Sequence, residues 1–475
     1  MKLPRALEPF SSRTYTVLAL AMGMSVFGSG LWAVAMVARV MALGGSAVDL
    51  SLVTAAGAVG MVVFVLIGGV AADRFRLPVI LRCVEVVNFV TALSIAVLTW
   101  TGTLALWHLG AAAFAFSGAV GFFYPAYSAA LPRILPPHQL LAANGVEGTA
   151  RPLLQLAAGP AVGGALTGLA LPGASVLAIA VCHAVALAFM LRLRLPEGRP
   201  AGHHAAGFAT AGHDAADHDD AADHDDVVDH HDVAGHDAAG HHAAGFDSAG
   251  HKEAAHDDAA ASGHAAGPGS MLAQMLDGFR YCVRTPWLLW TLLWAMSAIF
   301  MFIGPLEVLV PFLVVDRLGG TVADYGAMLG LYGISTAVGS SVMASLRMPR
   351  KYLTTMIWLW SFGTLPFGLV GMTGSWWVMA AALCVFGATG GAGQVIWGTL
   401  LQRRVPGHML GRISSLDFFV SLLLMPISMA VAGPVAQVVP PAAIFWGVAV
   451  LTPALGVLAV LAGRMHRDQE AHPLG

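Results

Sequence analysis

The chain has 475 residues, 57% of them hydrophobic and 11% charged, with a mean hydropathy of +0.73 and a formal net charge of −3. A soluble domain carries about 25% charged residues, so this composition excludes a water-soluble globular protein and identifies an integral membrane protein. Four cysteines, Cys83, Cys182, Cys282 and Cys384, lack CxxC spacing; they imply neither a disulfide framework nor a zinc site and read as packing residues.

Apolar runs long enough to cross about 30 Å of hydrocarbon, roughly 20 residues each, recur twelve times. The first six lie near 15–43, 48–72, 78–101, 104–130, 141–169 and 172–193. The second six lie near 286–315, 321–346, 352–372, 375–401, 411–438 and 441–463. The first run is too long for a cleaved signal peptide and no small-residue cleavage site follows it. With the N-terminus inside, Arg39 and Arg317 are the two basic residues on the outer side, leaving 22 of 24 Lys and Arg inside or near inner helix ends. That bias is the positive-inside pattern. It predicts a multi-pass protein of the cell membrane with both termini cytoplasmic, which requires an even number of spans.

The expected organisation is a six-helix bundle over 1–195, a cytoplasmic linker over 196–270 and a second six-helix bundle over 271–475. Between His203 and His264 stand thirteen His, thirteen Asp, one Glu and one Lys. With neutral His this stretch carries about −13, and it cannot bury enough apolar surface to fold alone, so it is expected to be disordered. Imidazole and carboxylate are ligands for Ni²⁺, Co²⁺, Zn²⁺ and Cu²⁺. Weak divalent-metal sites are therefore expected on His203, His204, His213, His218, His224, His230, His231, His236, His241, His242, His251, His256 and His264. The segment could feed a metal exporter, sense metal or pH, or be a repeat expansion without a transport role.

The two halves repeat. Adding 270 maps Leu131, Arg133, Pro136, His138, Leu140 and Glu147 onto Leu401, Arg403, Pro406, His408, Leu410 and Asp417, and Gly69 onto Gly339. A membrane protein built from two like halves is the usual architecture of a secondary transporter, with substrate held at the seam near mid-membrane.

Three stretches resemble the major facilitator superfamily, in particular its bacterial efflux branch of siderophore and multidrug exporters. Gly69-Val70-Ala71-Ala72-Asp73-Arg74 looks like the family's loop motif G-x-x-x-D-R-x-G-R-[RK], departing from it after Arg74. Gly159-Pro160-Ala161-Val162-Gly163-Gly164 looks like the end of the antiporter motif G-x-x-x-G-P-x-x-G-G, with Gln155 in place of the earlier Gly. Phe123-Tyr124-Pro125-Ala126, Leu131-Pro132-Arg133, Ala143-Asn144, Gln402-Arg403-Arg404-Val405-Pro406 and Gly411-Arg412-Ile413-Ser414-Ser415-Leu416-Asp417 resemble the branch around spans four, five, ten and eleven. The resemblance implies an all-α fold of twelve transmembrane helices in two pseudo-symmetric six-helix bundles. It also implies export of a small molecule by exchange.

Ionisable residues inside a membrane are costly and are usually functional. Glu307, between Pro305 and Pro311 with no basic residue within a turn, is the candidate proton carrier; the alternative is a structural acid bonded to a hydroxyl or a freed carbonyl. Asp73 is expected to latch against the start of span eleven at Gly411-Arg412, a carboxylate facing a helix N-terminus, with Gly69 and Arg74 beside it; the alternative is a solvated turn. Glu147 and Arg151 are four apart and able to pair. Arg82 with Glu85 reads as a similar couple, and Asp417 is expected near Arg412 or Arg404; this group is read as bracing a cytoplasmic gate. Trp32, Asn88, Phe122, Tyr124, Gln155, His183, Phe302, Gln394 and Trp397 are candidate cavity residues, with ordinary core packing as the alternative for the aromatic ones and for His183. Gly159, Pro160, Gly163 and Gly164 allow close helix approach and a bend.

The expectation is a proton-coupled exporter of an organic solute, drug or siderophore-like, working by alternating access as a monomer in the lipid bilayer. No cofactor is required and no nucleic-acid partner is expected. A divalent-metal exporter using the His-rich loop is one alternative, and a non-transporting metal or pH sensor another. No nucleophile-base pair, phosphate loop or closed metal site suggests an enzyme.

Overall fold

The computed structural model describes residues 5–168, 173–193 and 277–474. The 196–270 linker and its thirteen histidines lie outside the described residues, as do the side chains of Asp73 and Arg412.

Among the described residues eleven helices are long and apolar enough to cross a membrane. In chain order, span 1 is Arg13–Ala42, span 2 Ala47–Arg74, span 3 Leu77–Trp100, span 4 Leu106–Ile134 and span 6 Ala174–Arg192. Span 7 is Pro286–Arg317, span 8 Val322–Ser345, span 9 Tyr352–Val370, span 10 Trp376–Arg404 and span 12 Pro441–Ala462. Span 11 runs over 407–438 in two pieces, Gly407–Leu423 and Met425–Val438. The remaining run, 137–167, is the fifth span, and it is helical throughout but interrupted: Pro137–Arg151, a π-helical turn Pro152–Ala158, then Gly159–Thr167. Its first piece carries His138, Gln139, Asn144, Glu147 and Arg151, and the run is not one of those eleven. Spans 4 and 10 begin and end 270 positions apart (376 − 106 and 404 − 134), so the repeated motifs sit on repeated elements.

Span 3 buries its polar Glu85 and Asn88 while a row of aliphatic side chains faces outward, where a membrane would lie. On span 3, Val79, Val86, Val90, Leu93 and Val97 are exposed while Leu81, Val84, Glu85, Asn88, Ala92 and Ile95 are buried. Spacings of three and four put each set on one face. Cys182 and Cys282 are buried and Cys384 half-buried, but Cys83 is exposed on this outer face, which corrects the reading of all four as packing residues.

Spans 2 and 8 start alike. Gly44 and Gly319 adopt φ of +73° and +64°, a left-handed turn that a side chain would strain. Ser46 and Thr321 then form capping boxes: their side chains accept from the N–H of Asp49 and Asp324, whose carboxylates accept back from the cap N–H groups at 2.8 and 2.7 Å. Such boxes satisfy backbone donors that a helix start leaves unpaired.

The buried core is forked. At the end that carries Ser46 and Thr321, one cluster mixes both halves, from Leu31, Val34, Leu50 and Ile179 to Val310, Met328, Phe367 and Phe445. Toward the opposite end it divides. One branch belongs to the first half, with Tyr15, Leu81, Tyr127 and Met190; the other belongs to the second, with Leu288, Tyr352, Ile396 and Met465.

Glycines make the joined end possible. A Cβ on Gly164 would lie 2.9 Å from the carbonyl oxygen of Ala323, and one on Gly326 would lie 2.6 Å from that of Pro160, so spans 5 and 8 touch backbone to backbone. Gly433 of span 11 lies equally close to Ala47 and Ser51 of span 2, and the Ser51 hydroxyl donates to the carbonyl of Ala430 at 3.4 Å. Small residues at a helix interface inside lipid permit this approach, where packing replaces the hydrophobic drive.

Candidate functional site

In the crotch of the fork lies a cavity of about 490 Å³. The first half supplies Ser29 and Trp32 from span 1, Met61 from span 2, Phe116, Ser117, Val120 and Tyr124 from span 4, and Arg151 and Gln155 from span 5. The second half supplies Gln394, Trp397, Gly398 and Leu401 from span 10, with Ser414, Asp417 and Phe418 from span 11. Tyr124 and Gln394 are themselves 270 apart (394 − 124), so one pair of equivalent positions of the repeat lines the cavity.

Two charged groups define its polarity. Arg151 donates to Glu147 at 2.7 Å, and its guanidinium lies 3.9 Å from the centre of the Tyr124 ring. Asp417 accepts from the indole N–H of Trp397 at 3.0 Å. The pairing of Asp417 with Arg412 or Arg404 is therefore corrected for Arg404: that side chain binds Asp468 at 2.8 Å and the Tyr352 hydroxyl instead. A C-terminal helix, Met465–Ala471, carries Asp468 and reaches the ends of spans 9 and 10, placing a local partner within reach of Arg404. Aromatic rings complete the wall; Trp32 and Phe116 pack with centroids 4.8 Å apart.

Five of the nine expected cavity residues line it: Trp32, Tyr124, Gln155, Gln394 and Trp397. Asn88 lies off it, in a small side pocket with Ser25, Ser29 and Tyr124. Phe122 packs against Phe64 and Phe302 against Phe386. His183 is fully buried with its Nδ1 2.9 Å from Glu85. That contact corrects the Arg82–Glu85 couple: Arg82 donates to the carbonyls of Met190 and Leu193 at 3.0 Å each, fastening span 3 to the end of span 6. Three residues along a helix makes a pair possible; a buried histidine on the next helix offered Glu85 a better one.

The remaining expected residues are dispersed. Glu307 lies in a π-helical turn of span 7, Pro305–Leu309, half-buried and outside the cavity, in the neighbourhood of Tyr325 and Tyr332 on span 8. Such turns interrupt a helix where two prolines already break its hydrogen bonds, and they recur at functional positions. Gly159 and Gly163 face Gly30 and Leu31 of span 1 while Pro160 and Gly164 face span 8, so the Gly-Pro motif wedges span 5 between the halves. Gly69 has open space around it and Arg74 is exposed; the latch partner of Asp73 lies outside the described side chains.

A family profile described as Major Facilitator Superfamily matches residues 18–321. The chain belongs to the major facilitator superfamily. An uncharacterized MFS-type transporter of Sinorhizobium fredii is 30% identical over 212 residues, 42% of this chain; the chain spans 46% of that relative's length. Among solved structures, a single-site mutant of the nucleoside transporter NupG superposes with a TM-score of 0.61 at 11% identity, over 95% of this chain and 98% of that one. A bacterial homolog of the human lysosomal transporter Spinster, inward-facing and unoccupied, gives 0.60 at 15% identity over 99% of both chains. At these identities the likeness concerns the major facilitator fold alone.

Proposed function

We propose that the protein is a secondary active exporter that moves a small organic solute outward by alternating access, drawing on inward proton flow. The observation that carries this reading is the cavity in the forked core. Both halves line it, and they are joined by glycine contacts at one end and separated at the other. The positive-inside bias assigns the separated end to the cytoplasm, so the conformation is the one that loads from inside. Rocking the halves would part the Gly164–Gly326 seam and close the Tyr127 and Ile396 branches.

The lining favours an organic solute over a bare metal ion. Aromatic rings with a few polar groups are what small-molecule sites present, and a carboxylate among aromatics favours a flat cation. Among the described residues no three His, Cys, Asp or Glu come together as a metal-ligand cluster. Glu307, a carboxyl without a basic partner among the described residues, is the proposed proton carrier of the second half.

Proteoliposomes holding the full chain, given an imposed pH gradient and ethidium as probe, test the reading. Gradient-dependent ethidium movement that collapses on adding a protonophore is the expected result; no such movement of ethidium or of an uncharged dye would sink it. Deleting 201–270 should leave this movement intact, whereas under the metal-export alternative the same deletion abolishes resistance to nickel and cobalt. Glu307→Gln should weaken the dependence on the pH gradient, and unaltered coupling would remove Glu307 from the mechanism.

A further inference from the structure

Outside the cavity, Glu85 and His183 are ionisable groups whose side chains have no solvent exposure. Burying a carboxyl and an imidazole in apolar surroundings is expensive unless every polar atom is satisfied. Here three atoms are not: Glu85 Oε1, His183 Nε2 and the neighbouring Asn88 Oδ1 have no hydrogen-bond partner among the described residues. Around the pair the buried faces of spans 3 and 6 are mostly apolar, with Leu81, Val84 and Ala92 on one and Ile179, Ala180 and Ala186 on the other. A pair bonded through one atom each, with a free acceptor and a free ring nitrogen left over, has spare capacity for a proton.

The pair is also next to the cavity. Phe116, which lines the cavity, has its ring centre 5.7 Å from that of His183. The side pocket lined by Asn88, Val84 and Ser25 shares Ser29, Val120 and Tyr124 with the main cavity. Its volume is about 10 Å³, about one water probe, and its polar wall begins at the cavity and ends one helical turn from Glu85. Gly28 keeps the imidazole uncrowded: a Cβ there would lie 3.1 Å from Nε2.

Few other titratable groups face the pair. Span 3 itself offers Arg82, already committed to two carbonyls of span 6, and Cys83, which points outward. Span 6 adds Cys182, span 4 the phenols of Tyr124 and Tyr127, and span 5 Arg151, whose guanidinium lies 3.9 Å from the centre of the Tyr124 ring and donates to Glu147 at 2.7 Å. The partner of Glu85 is His183, while Arg82 and Arg151 are bonded elsewhere, to two carbonyls of span 6 and to Glu147.

We propose that the Glu85–His183 pair is a proton-binding site of the first half, filled and emptied from the central cavity through the Ser25, Ser29 and Asn88 side pocket. The site rests on the exporter reading for its purpose, but not for its existence. One proton enters from the cavity and is held between carboxylate and imidazole; the same proton leaves when the pair releases it, and no other bond changes. It gives the first half a proton station beside the proposed Glu307 station of the second.

The test counts protons on the purified full-length protein in detergent, using a pH-indicator dye and difference infrared spectroscopy across an acid step. Glu85→Gln and His183→Gln should each take up one proton fewer than the unmodified protein and lose the corresponding carboxyl or imidazole band. Asn88→Leu, which leaves the pair intact, should keep the count and slow the uptake. Equal counts in the unmodified protein and in a Glu85→Gln variant with an unchanged melting temperature overturn the proposal. So does unslowed uptake in Asn88→Leu. If Glu85→Gln misfolds, His183→Gln and Asn88→Leu decide. Proton counting needs no transport, so a protein that shows the Glu85-dependent proton but moves neither ethidium nor an uncharged dye sinks the exporter reading alone. Ethidium export with no Glu85-dependent proton sinks the pair alone.

Discussion

Glu147 and Asp417 occupy equivalent positions of the repeat, 270 residues apart, yet one accepts from a guanidinium at 2.7 Å and the other from an indole N–H at 3.0 Å. The position equivalent to Arg151 is Ser421, so the second half has the carboxylate without the cation. The cavity is therefore electrically lopsided, with a guanidinium paired to Glu147 on the wall of the first half and a carboxylate bonded to a neutral indole on the wall of the second. A cation crossing the seam would be drawn toward Asp417.

Replacing Asp417 with Asn keeps an acceptor for Trp397 and removes the charge. Binding of ethidium should weaken by about tenfold, corresponding to about 1.4 kcal/mol, while an uncharged dye of similar size should bind unchanged. Fluorescence titration of the purified protein reads both. Equal losses for the two dyes would mean that Asp417 shapes the cavity and does not select charge.

Arg151 should be more costly to remove than its partner. Arg151→Gln leaves Glu147 facing Tyr124 and Tyr127 without its cation, and an orphaned, largely buried acceptor costs about 1–3 kcal/mol. The melting temperature should fall, and adding Glu147→Gln should recover part of the loss because the uncompensated charge is gone. A double variant no more stable than Arg151→Gln would show that the arginine works by packing on Tyr124 and not through the pair.

What could be read from the sequence, and what could not, follows from the range of each interaction. Span lengths depend on local apolarity, so the runs ending near Trp100, Ser345 and Ala462 lie close to their expected limits. The i, i+4 couple Glu147–Arg151 is local and legible. Three residues separate Glu85 from Arg82, a spacing that suggests a pair, whereas its partner His183 is 98 positions away on another span; only the folded bundle brings them together. The Trp397–Asp417 bond spans two helices and was equally invisible. One missed feature was legible: Gly44-Gly45-Ser46 with Asp49, and Gly319-Gly320-Thr321 with Asp324, repeat at an offset of 275. A search at 270 alone passes over them, although a hydroxyl residue three before an acid is itself a helix-start signature.

The joined end should be sensitive to a single side chain. Gly326→Leu must push Pro160 and Gly164 away, because even its Cβ would fall 2.6 Å from the Pro160 carbonyl oxygen. The halves should part there and the cavity should open toward the Ser46 end. A cysteine placed at Ser29 in a Cys83→Ser background should then react faster with an impermeant maleimide applied from that side. Gly110→Leu, with nothing within 4 Å of the added Cβ, is the comparison that should leave labelling alone. If both variants label alike, glycine contacts do not hold that end shut.

The two capping boxes bear on the same end from a different direction. Ser46→Ala and Thr321→Ala each remove a side-chain acceptor from a helix start, at about 1 kcal/mol apiece. The Asp49 and Asp324 carboxylates, now bonded to the cap N–H and hydroxyl at 2.7–2.8 Å, would each lose one of two donors. If spans 2 and 8 start independently, the double variant should lose about 2 kcal/mol, since separated sites add. Span 2 packs against Gly433 of span 11 and span 8 against Gly164 of span 5, so both starts belong to the contact that joins the halves. A double loss well above the sum, measured by thermal melting in detergent, would therefore show that the two helix starts melt as one cooperative rim, and a loss equal to the sum would show two separate ones.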